Sequence, residues 1–242
     1  MVESFATESG IEVLTVSAAQ MHEVDRIALH ETGPTLFQMM ENAGRTVAQI
    51  ALDVLKWQGQ SAKVLVLVGS GGNGGSGLCA ARHLANRFLN VDVCYADPEK
   101  LNESTAYQRK ILNSTPAKEI ASVALAGKSY DLVIDALIGK SLNTAPKGEL
   151  AKLIGWANES KAPILSLDVP SGLDATTGET PGEYIRPRWT ITFALPKSGL
   201  SPDKTGTLYL ADLGIPPKVY EQIGVRYMNP FGGTFWVLLK KR

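Results

Sequence analysis

The sequence predicts an α/β protein, a three-layer αβα arrangement around a mostly parallel central sheet. Three observations carry that expectation. A short apolar run, Lys63–Val68, leads into a stretch with six glycines in nine residues, and then into a segment whose apolar side chains recur at helical spacing. Downstream, short β-branched runs alternate with longer amphipathic ones, the pattern of parallel strands joined by crossover helices. The chain has 242 residues, 44% of them hydrophobic, enough apolar material for one substantial α/β domain.

Two helix signals come first. Ser17-Ala-Ala-Gln20 has the spacing of a capping box, in which hydroxyl and amide side chains satisfy otherwise unpaired backbone N–H groups, and Met21, Val24, Ile27 and Ala28 continue it helically. Thr35-Leu-Phe-Gln38 repeats the device ahead of Leu36, Met39, Met40, Ala43, Val47, Ile50 and Val54. Met39 and Met40 read as packing residues. Two helices are therefore expected before the first strand, residues 63–68. The glycine stretch reads as a loop, followed by a helix over 78–88 with Leu78, Ala81, Leu84, Ala85 and Phe88 on one face. Strands are then expected at 91–95, 131–135, 163–167, 189–193 and 207–210, with helices at 103–113, 148–158 and 219–223. A last strand, 234–239, is closed by Lys240, Lys241 and Arg242. No repeat, low-complexity tract or linker interrupts this order, so a single domain over residues 1–242 is expected.

The glycine stretch, Gly69-Ser-Gly-Gly-Asn-Gly-Gly-Ser-Gly77, is the centre of a Rossmann-like unit. Strand, glycine loop and helix together let bare backbone N–H groups meet a phosphate or pyrophosphate at a helix N-terminus. Glycine removes the Cβ that would hold a ligand off, at an entropic cost that packing alone rarely justifies. Gly69-x-Gly71-x-x-Gly74 matches the dinucleotide fingerprint, but the glycines run on through Gly75 and Gly77. No Gly-Lys-Ser/Thr follows, which excludes a P-loop for nucleoside triphosphates. The plainer alternative is a flexible connection with no ligand. Asn73 adds an amide oxygen that can face a cation or a ligand.

Composition narrows the partners. Twenty-four basic and 24 acidic residues balance, so no basic surface advertises nucleic acid or an anionic membrane. No apolar run approaches the roughly 18 residues of a membrane span. Glu3, Glu8 and Glu12 argue against a signal or transit peptide. Cys79 and Cys94 lie apart and read as small buried hydrophobes of a reducing, cytoplasmic setting. His22, His30 and His83 form no ligand pattern, which argues against a zinc site.

In open parallel sheets ligands sit outside the carboxyl ends of the strands, and here the chemistry gathers at those ends. The first strand ends in the glycine loop, the third in Asp135 and the segment through Thr144, and the fourth in Asp168-Val-Pro-Ser-Gly-Leu-Asp174. The fifth ends in Pro196-Lys-Ser-Gly199. Singly, Asp168 and Ser171 have a turn-capping alternative, Asp174 reads as a cap, and Lys197 could be a solvated loop lysine. Jointly, Asn73, Asp135, Asp168, Ser171 and Lys197 make a crevice with two carboxylates and a cation.

Several segments in one order resemble a known family. Met40-Glu-Asn-Ala-Gly44, the glycine loop, Asp135-Ala-Leu-Ile-Gly139, Asp168-Val-Pro-Ser-Gly-Leu-Asp174, Phe193-Ala-Leu-Pro-Lys197 and Ala211-Asp-Leu-Gly-Ile-Pro216 are similar to motifs of the NAD(P)H-hydrate epimerases, the YjeF N-terminal domain family. The resemblance spans about residues 15–225. It implies a metabolite-repair enzyme that interconverts the R and S forms of hydrated NADH and NADPH, working with a separate dehydratase. It implies a bound potassium ion with Asn73, Asp135 and Ser171 as ligands. It implies hydrate contacts from Gly72, Asn73, Gly74, Gly75 and Ser76, from Gly139, Lys140, Ser141, Leu142, Asn143, Thr144 and Ala145, and from Asp168. Potassium wants oxygen ligands, and amide, carboxylate and hydroxyl supply them.

Inversion at a carbon bearing a hydroxyl and a ring nitrogen can proceed by acid-assisted loss of the hydroxyl and return of water on the other face. A carboxylate facing the cationic ring suits Asp168, and Lys197 is either the proton shuttle or a pyrophosphate anchor. Two positions depart from the family pattern: Ser76 stands for its aspartate and Gly72 for an asparagine. A homodimer is the expected assembly. The alternatives are a non-catalytic scaffold of the same fold and an NAD-dependent dehydrogenase, which would need Asp92 or Asp97 on the ribose.

Overall fold

The computed structural model describes residues 4–56 and 61–242. The chain begins with β1 (Ser4–Thr7), β2 (Glu12–Leu14), α1 (Ala18–Ile27) and α2 (Leu36–Val54). There follow β3 (Lys63–Val68), α3 (Gly72–Ala85), β4 (Asn90–Tyr95), α4 (Glu103–Leu112), β5 (Lys118–Glu119) and β6 (Leu132–Ala136). The remainder holds α5 (Gly148–Glu159), β7 (Ile164–Leu167), β8 (Trp189–Phe193), α6 (Pro202–Thr205), β9 (Thr207–Ala211), α7 (Pro217–Gln222) and β10 (Trp236–Lys241). All ten strands join one sheet in the order β2-β1-β10-β9-β8-β7-β6-β3-β4-β5. From β9 to β5 the pairing is parallel, and β10, β1 and β2 add an antiparallel edge.

β3 explains the layering. Val64 through Val68 are all buried, because both faces of the strand are covered. Val64, Val66 and Val68 pack into the core shared with α2 and α3, while Leu65 and Leu67 join Leu153 and Ile154 of α5 on the opposite face. The period-2 alternation of a strand thus divides one apolar run between two cores. Both capping boxes form: Gln20 N–H donates to Ser17 Oγ at 3.1 Å and Ser17 N–H to Gln20 Oε1 at 2.9 Å, with Thr35 and Gln38 repeating the exchange. No helix among the described residues is long and apolar enough to cross a membrane.

Three expectations need correction. Two strands, not helices, open the fold; they are only four and three residues long, and β1 finds its second partner in β10 at the far end of the sequence. So short a strand carries no readable period, and its pairing is long-range. The last strand also runs later than expected, Trp236–Lys241, so Lys240 and Lys241 belong to it. The largest difference is α3, which starts at Gly72 and not at Leu78, taking most of the glycine stretch into the helix. Cys79 and Cys94 are buried free thiols, as expected.

Candidate functional site

Strand order sets β8, β7, β6 and β3 side by side, so their carboxyl ends open onto one cavity of about 560 Å³. Its other boundaries come from α1, α2 and the segment 139–147.

One wall is glycine. A Cβ on Gly69 would lie 1.8 Å from Leu137 O, on Gly74 2.0 Å from Gly69 O, and on Gly77 2.4 Å from Ala136 Cβ. These glycines let α3 press onto β3 and β6, so packing demands them, contrary to the expectation that packing alone rarely justifies their entropic cost. Gly71 has nothing within 4 Å of its would-be Cβ, and Gly72 only the tip of Met40; both line the cavity. Gly71 caps α3 with extended backbone and no side-chain cap. The first intrahelical bond runs from Gly75 N–H to Gly71 O at 3.2 Å, so the N–H groups of the first turn lack a partner within the helix, the arrangement that attracts anions.

The opposite wall is charged. Asp168 follows β7 and is 6% exposed; Lys197 follows β8 and is 1% exposed; the two form a buried ion pair. Lys197 Nζ also donates to Phe193 O at 2.9 Å and Thr192 Oγ1 at 3.3 Å. The second carboxylate oxygen of Asp168 accepts the Lys140 N–H at 3.2 Å, and the Lys140 ammonium holds Asp25 at 2.6 Å. Burial pushes the Asp168 carboxyl up, but the ammonium groups of Lys197 and Lys140 outweigh it and leave the group below the usual carboxylate range. Burial draws Lys197 below the usual lysine range against the pull of Asp168.

Backbone strain aims this pair. Asp168 has φ +63° and Ala194 φ +62°, neither being glycine. Val169 N–H reaches back to Leu167 O at 2.8 Å, and Leu195 N–H to Phe193 O at 2.7 Å. Each strand therefore ends in a γ-turn of the rare positive-φ kind, a conformation that costs about 1–3 kcal/mol and persists only where surroundings impose it.

Asp135 lies beneath the cavity floor, fully buried. Its oxygens accept from Ser166 Oγ at 2.7 Å, Ser171 N–H at 2.9 Å, Ser171 Oγ at 2.5 Å and Leu137 N–H at 3.2 Å. Burial raises its pKa, and every one of these partners is neutral. Ser171 Oγ also accepts Ile138 N–H at 2.8 Å. The Asn73 amide oxygen stands 3.4 Å from the position of a Cβ on Gly139, and its buried Nδ2 has no partner. The oxygen donors suit a cation, since Asp135 is a buried carboxylate whose partners are all neutral and Asn73 adds an amide oxygen near Gly139; the unpartnered Nδ2 of Asn73, a donor, calls for an acceptor instead.

Of the residues singled out from sequence, Gly72, Asn73, Ser76, Gly139, Lys140, Ser141, Leu142, Asn143, Thr144, Ala145, Asp168 and Lys197 line the cavity. Gly74 and Gly75 pack behind it, and Asp135 and Ser171 lie under it. Asp174 is a turn cap, accepting the N–H groups of Thr176 and Thr177 at 2.8 Å. Asp92 and Asp97, the acids a dehydrogenase would require, instead hold Lys128 and Lys100 away from the cavity. Met39 and Met40 are buried as expected and also line the cavity. Sequence reading missed Asp25, which one turn of helical spacing from Met21 could have placed on the same face. It also left His83 unpartnered; the fold sets it with Glu41 and Cys79. Arg82 pairs with Glu41 and reaches Cys79 Sγ at 3.2 Å, so a cation already serves that cluster.

Residues 36–199 match the family described as YjeF-related protein N-terminus. The chain is 48% identical over 240 residues to the NAD(P)H-hydrate epimerase of Dehalogenimonas lykanthroporepellens, covering 99% of this chain and 98% of that protein. It is 36% identical over 200 residues to the bifunctional NAD(P)H-hydrate repair enzyme Nnr of Escherichia coli K12, covering 79% of this chain but 38% of that longer protein. The crystal structure of yeast YNL200c superposes with a TM-score of 0.81 at 25% identity, over 94% of this chain and 99% of that one. The chain belongs to the YjeF-related N-terminal family.

Proposed function

We propose that the protein is an NAD(P)H-hydrate epimerase, an isomerase that interconverts the R and S forms of hydrated NADH and NADPH. The observation that carries this reading is a single cavity holding both a bare helix N-terminus, suited to the pyrophosphate, and a buried, strain-aimed carboxylate–ammonium pair suited to a cationic ring. The name of the relative at 48% identity supports it.

In this reading Gly71 to Ser76 and the segment 139–145 bind the dinucleotide. Asp168, ionised and out of water, faces the ring as the departing hydroxyl leaves a positive charge on the nitrogen-bearing system. Lys197, whose burial makes its proton easier to give up, donates to the departing oxygen and recovers the proton when water adds to the other face. The apolar side chains of α1 and α2 keep bulk water from the cationic intermediate. Asn73, Asp135 and Ser171 would hold a potassium ion, which would give the buried Asp135 carboxylate the counter-charge its neutral partners do not. The names of the bifunctional relatives support a dehydratase as working partner. Free buried thiols are compatible with a cytoplasmic setting, and a homodimer is the assembly to check by sedimentation equilibrium.

The test is epimerisation of the purified R hydrate, followed by restoration of NADH through an S-specific dehydratase. Turnover above the spontaneous rate is expected. Restoration no faster than in the absence of the protein would remove the reading.

A further inference from the structure

We propose that Asp25 is a positioning residue for Asp168, acting through Lys140; as a statement about turnover this rests on the epimerase reading. Lys140 is tied at both ends. Its ammonium donates to Asp25 Oδ2 at 2.6 Å and its backbone N–H to Asp168 Oδ2 at 3.2 Å. The ion pair is partly buried, with side-chain exposures of 19% for Lys140 and 27% for Asp25, so water screens it less than a surface pair. Among the described residues, no hydrogen bond ties residues 141–146 to another element, so Lys140 is where the segment is polar-anchored over the cavity.

Asp25 is itself held from behind. It sits in the last turns of α1, whose N-terminus is fixed by the capping box of Ser17 and Gln20. The residue before that box, Val16, pairs with the Lys197 segment: Val16 N–H donates to Pro196 O at 3.0 Å and Ser198 N–H to Val16 O at 2.9 Å. The contacts therefore close a ring, from Lys197 through Val16 and α1 to Asp25, across to Lys140, on to Asp168 and back to Lys197. A carboxylate in a strained turn keeps its aim only while its surroundings hold it. Removing the Asp25 charge opens the ring at the ion pair that joins α1 to Lys140. Asp168 then loses a fixed N–H donor, and a nearby ammonium with it.

The experiment uses Asp25→Asn, Asp25→Glu, Lys140→Met and the Asp25→Asn/Lys140→Met double variant. The readouts are kcat and KM in the coupled epimerisation assay, and amide hydrogen exchange of residues 139–147. Asp25→Asn is expected to lower kcat roughly tenfold with a smaller change in KM, since misplacement of a reacting group falls on turnover. It should also speed exchange at the Lys140 amide, the N–H of this segment that is bonded to Asp168, while Asp25→Glu recovers most of both. The double variant should be little worse than Lys140→Met alone, because the two residues act as one link. Additive losses, a KM effect with kcat unchanged, or unaltered exchange would overturn the proposal. If the wild type shows no epimerisation, faster exchange in Asp25→Asn still supports the link, and unchanged exchange rejects it.

Discussion

The two walls of the cavity are built by opposite means. The glycine wall works through missing atoms: backbone comes so close to backbone that a single methyl group on Gly69 or Gly74 would overlap a carbonyl. The charged wall works through groups that water would otherwise claim, Asp168 and Lys197, held by strained turns in a space that excludes it. The first wall is stiff and neutral, offering fixed N–H dipoles; the second carries full charges. In the proposed reading, the N–H dipoles of the first suit a dianionic pyrophosphate and the charges of the second suit a cationic ring.

The charged wall should give the largest effects. Asp168→Asn is expected to lower kcat by roughly 10²-fold or more with KM much less changed, because the lost charge matters most once the ring is cationic. Equal losses in kcat/KM and binding would move Asp168 to the binding wall and break the division. Lys197→Met strands a buried carboxylate, and urea unfolding should show a loss of about 3–5 kcal/mol. The pH dependence has a definite sign. Asp168 titrates below its ordinary value of 3.8 in the folded protein, so its contribution is present above that value and is lost as pH falls through the folded one. Asp168→Asn should flatten that acid limb of stability, measured by unfolding between pH 2 and about 5.

The floor joins the walls, and the ion tests it. Potassium binding to the folded state alone would stabilise it by about 2.7 kcal/mol at a hundredfold excess over its dissociation constant. For a chain of this size that is a rise of about 5–10 °C in Tm. The rise is expected in potassium chloride relative to tetramethylammonium chloride of equal strength, and it should be absent in Asp135→Asn. An equal Tm in both salts would mean that the four neutral donors around Asp135 suffice, and that the walls need no ion between them.

The glycine wall should respond in the reverse pattern to position. Gly69→Ala meets a backbone oxygen 1.8 Å away that cannot rotate aside, and a loss of about 1–3 kcal/mol in unfolding free energy is expected. Gly71→Ala enters open space at a non-helical cap, and its stability should stay within about 0.5 kcal/mol of wild type. Gly71→Ala should instead raise KM, since it adds a methyl group to a cavity-lining residue where the proposed reading puts the dinucleotide. Equal stability losses would make both glycines packing residues.

How far these walls were legible follows from the kind of physics involved. Strands such as 63–68 and 189–193 and both capping boxes declare themselves through local spacing, and the structure has them at the expected places. The rule that ligands gather at strand ends brought Asn73, Asp168 and Lys197 together in advance. The glycines were seen, but their reason was misjudged, because a sequence does not show which glycine faces a carbonyl and which faces a cavity. Asp25 was invisible as a partner of Lys140, since 115 residues separate them. The γ-turns at Asp168 and Ala194 could not be read at all: neither residue is glycine, and the surroundings that impose a positive φ come from β8 and β9.

One more substitution puts a charge into the neutral wall. Ser76 is 6% exposed, lines the cavity in the second turn of α3, and donates its hydroxyl to Gly72 O at 3.2 Å. Its proton is thus spent inside the helix, leaving oxygen lone pairs as what it offers a ligand. Ser76→Asp keeps an acceptor there and strengthens it with charge, near a helix N-terminus that tolerates an anion. If that position accepts a hydrogen bond from a neutral substrate hydroxyl, KM should fall by about ten- to thirty-fold, or 1–2 kcal/mol, with kcat within about twofold of wild type. Should kcat rise instead, the position takes part in proton transfer and the glycine wall is not purely a binding surface. A wild type that is inactive and stays inactive in Ser76→Asp would return the protein to the scaffold alternative. The expected result is the change in KM, because Asp168 and Lys197 already stand opposite to handle the protons and a carboxylate on the glycine wall has only binding left to improve.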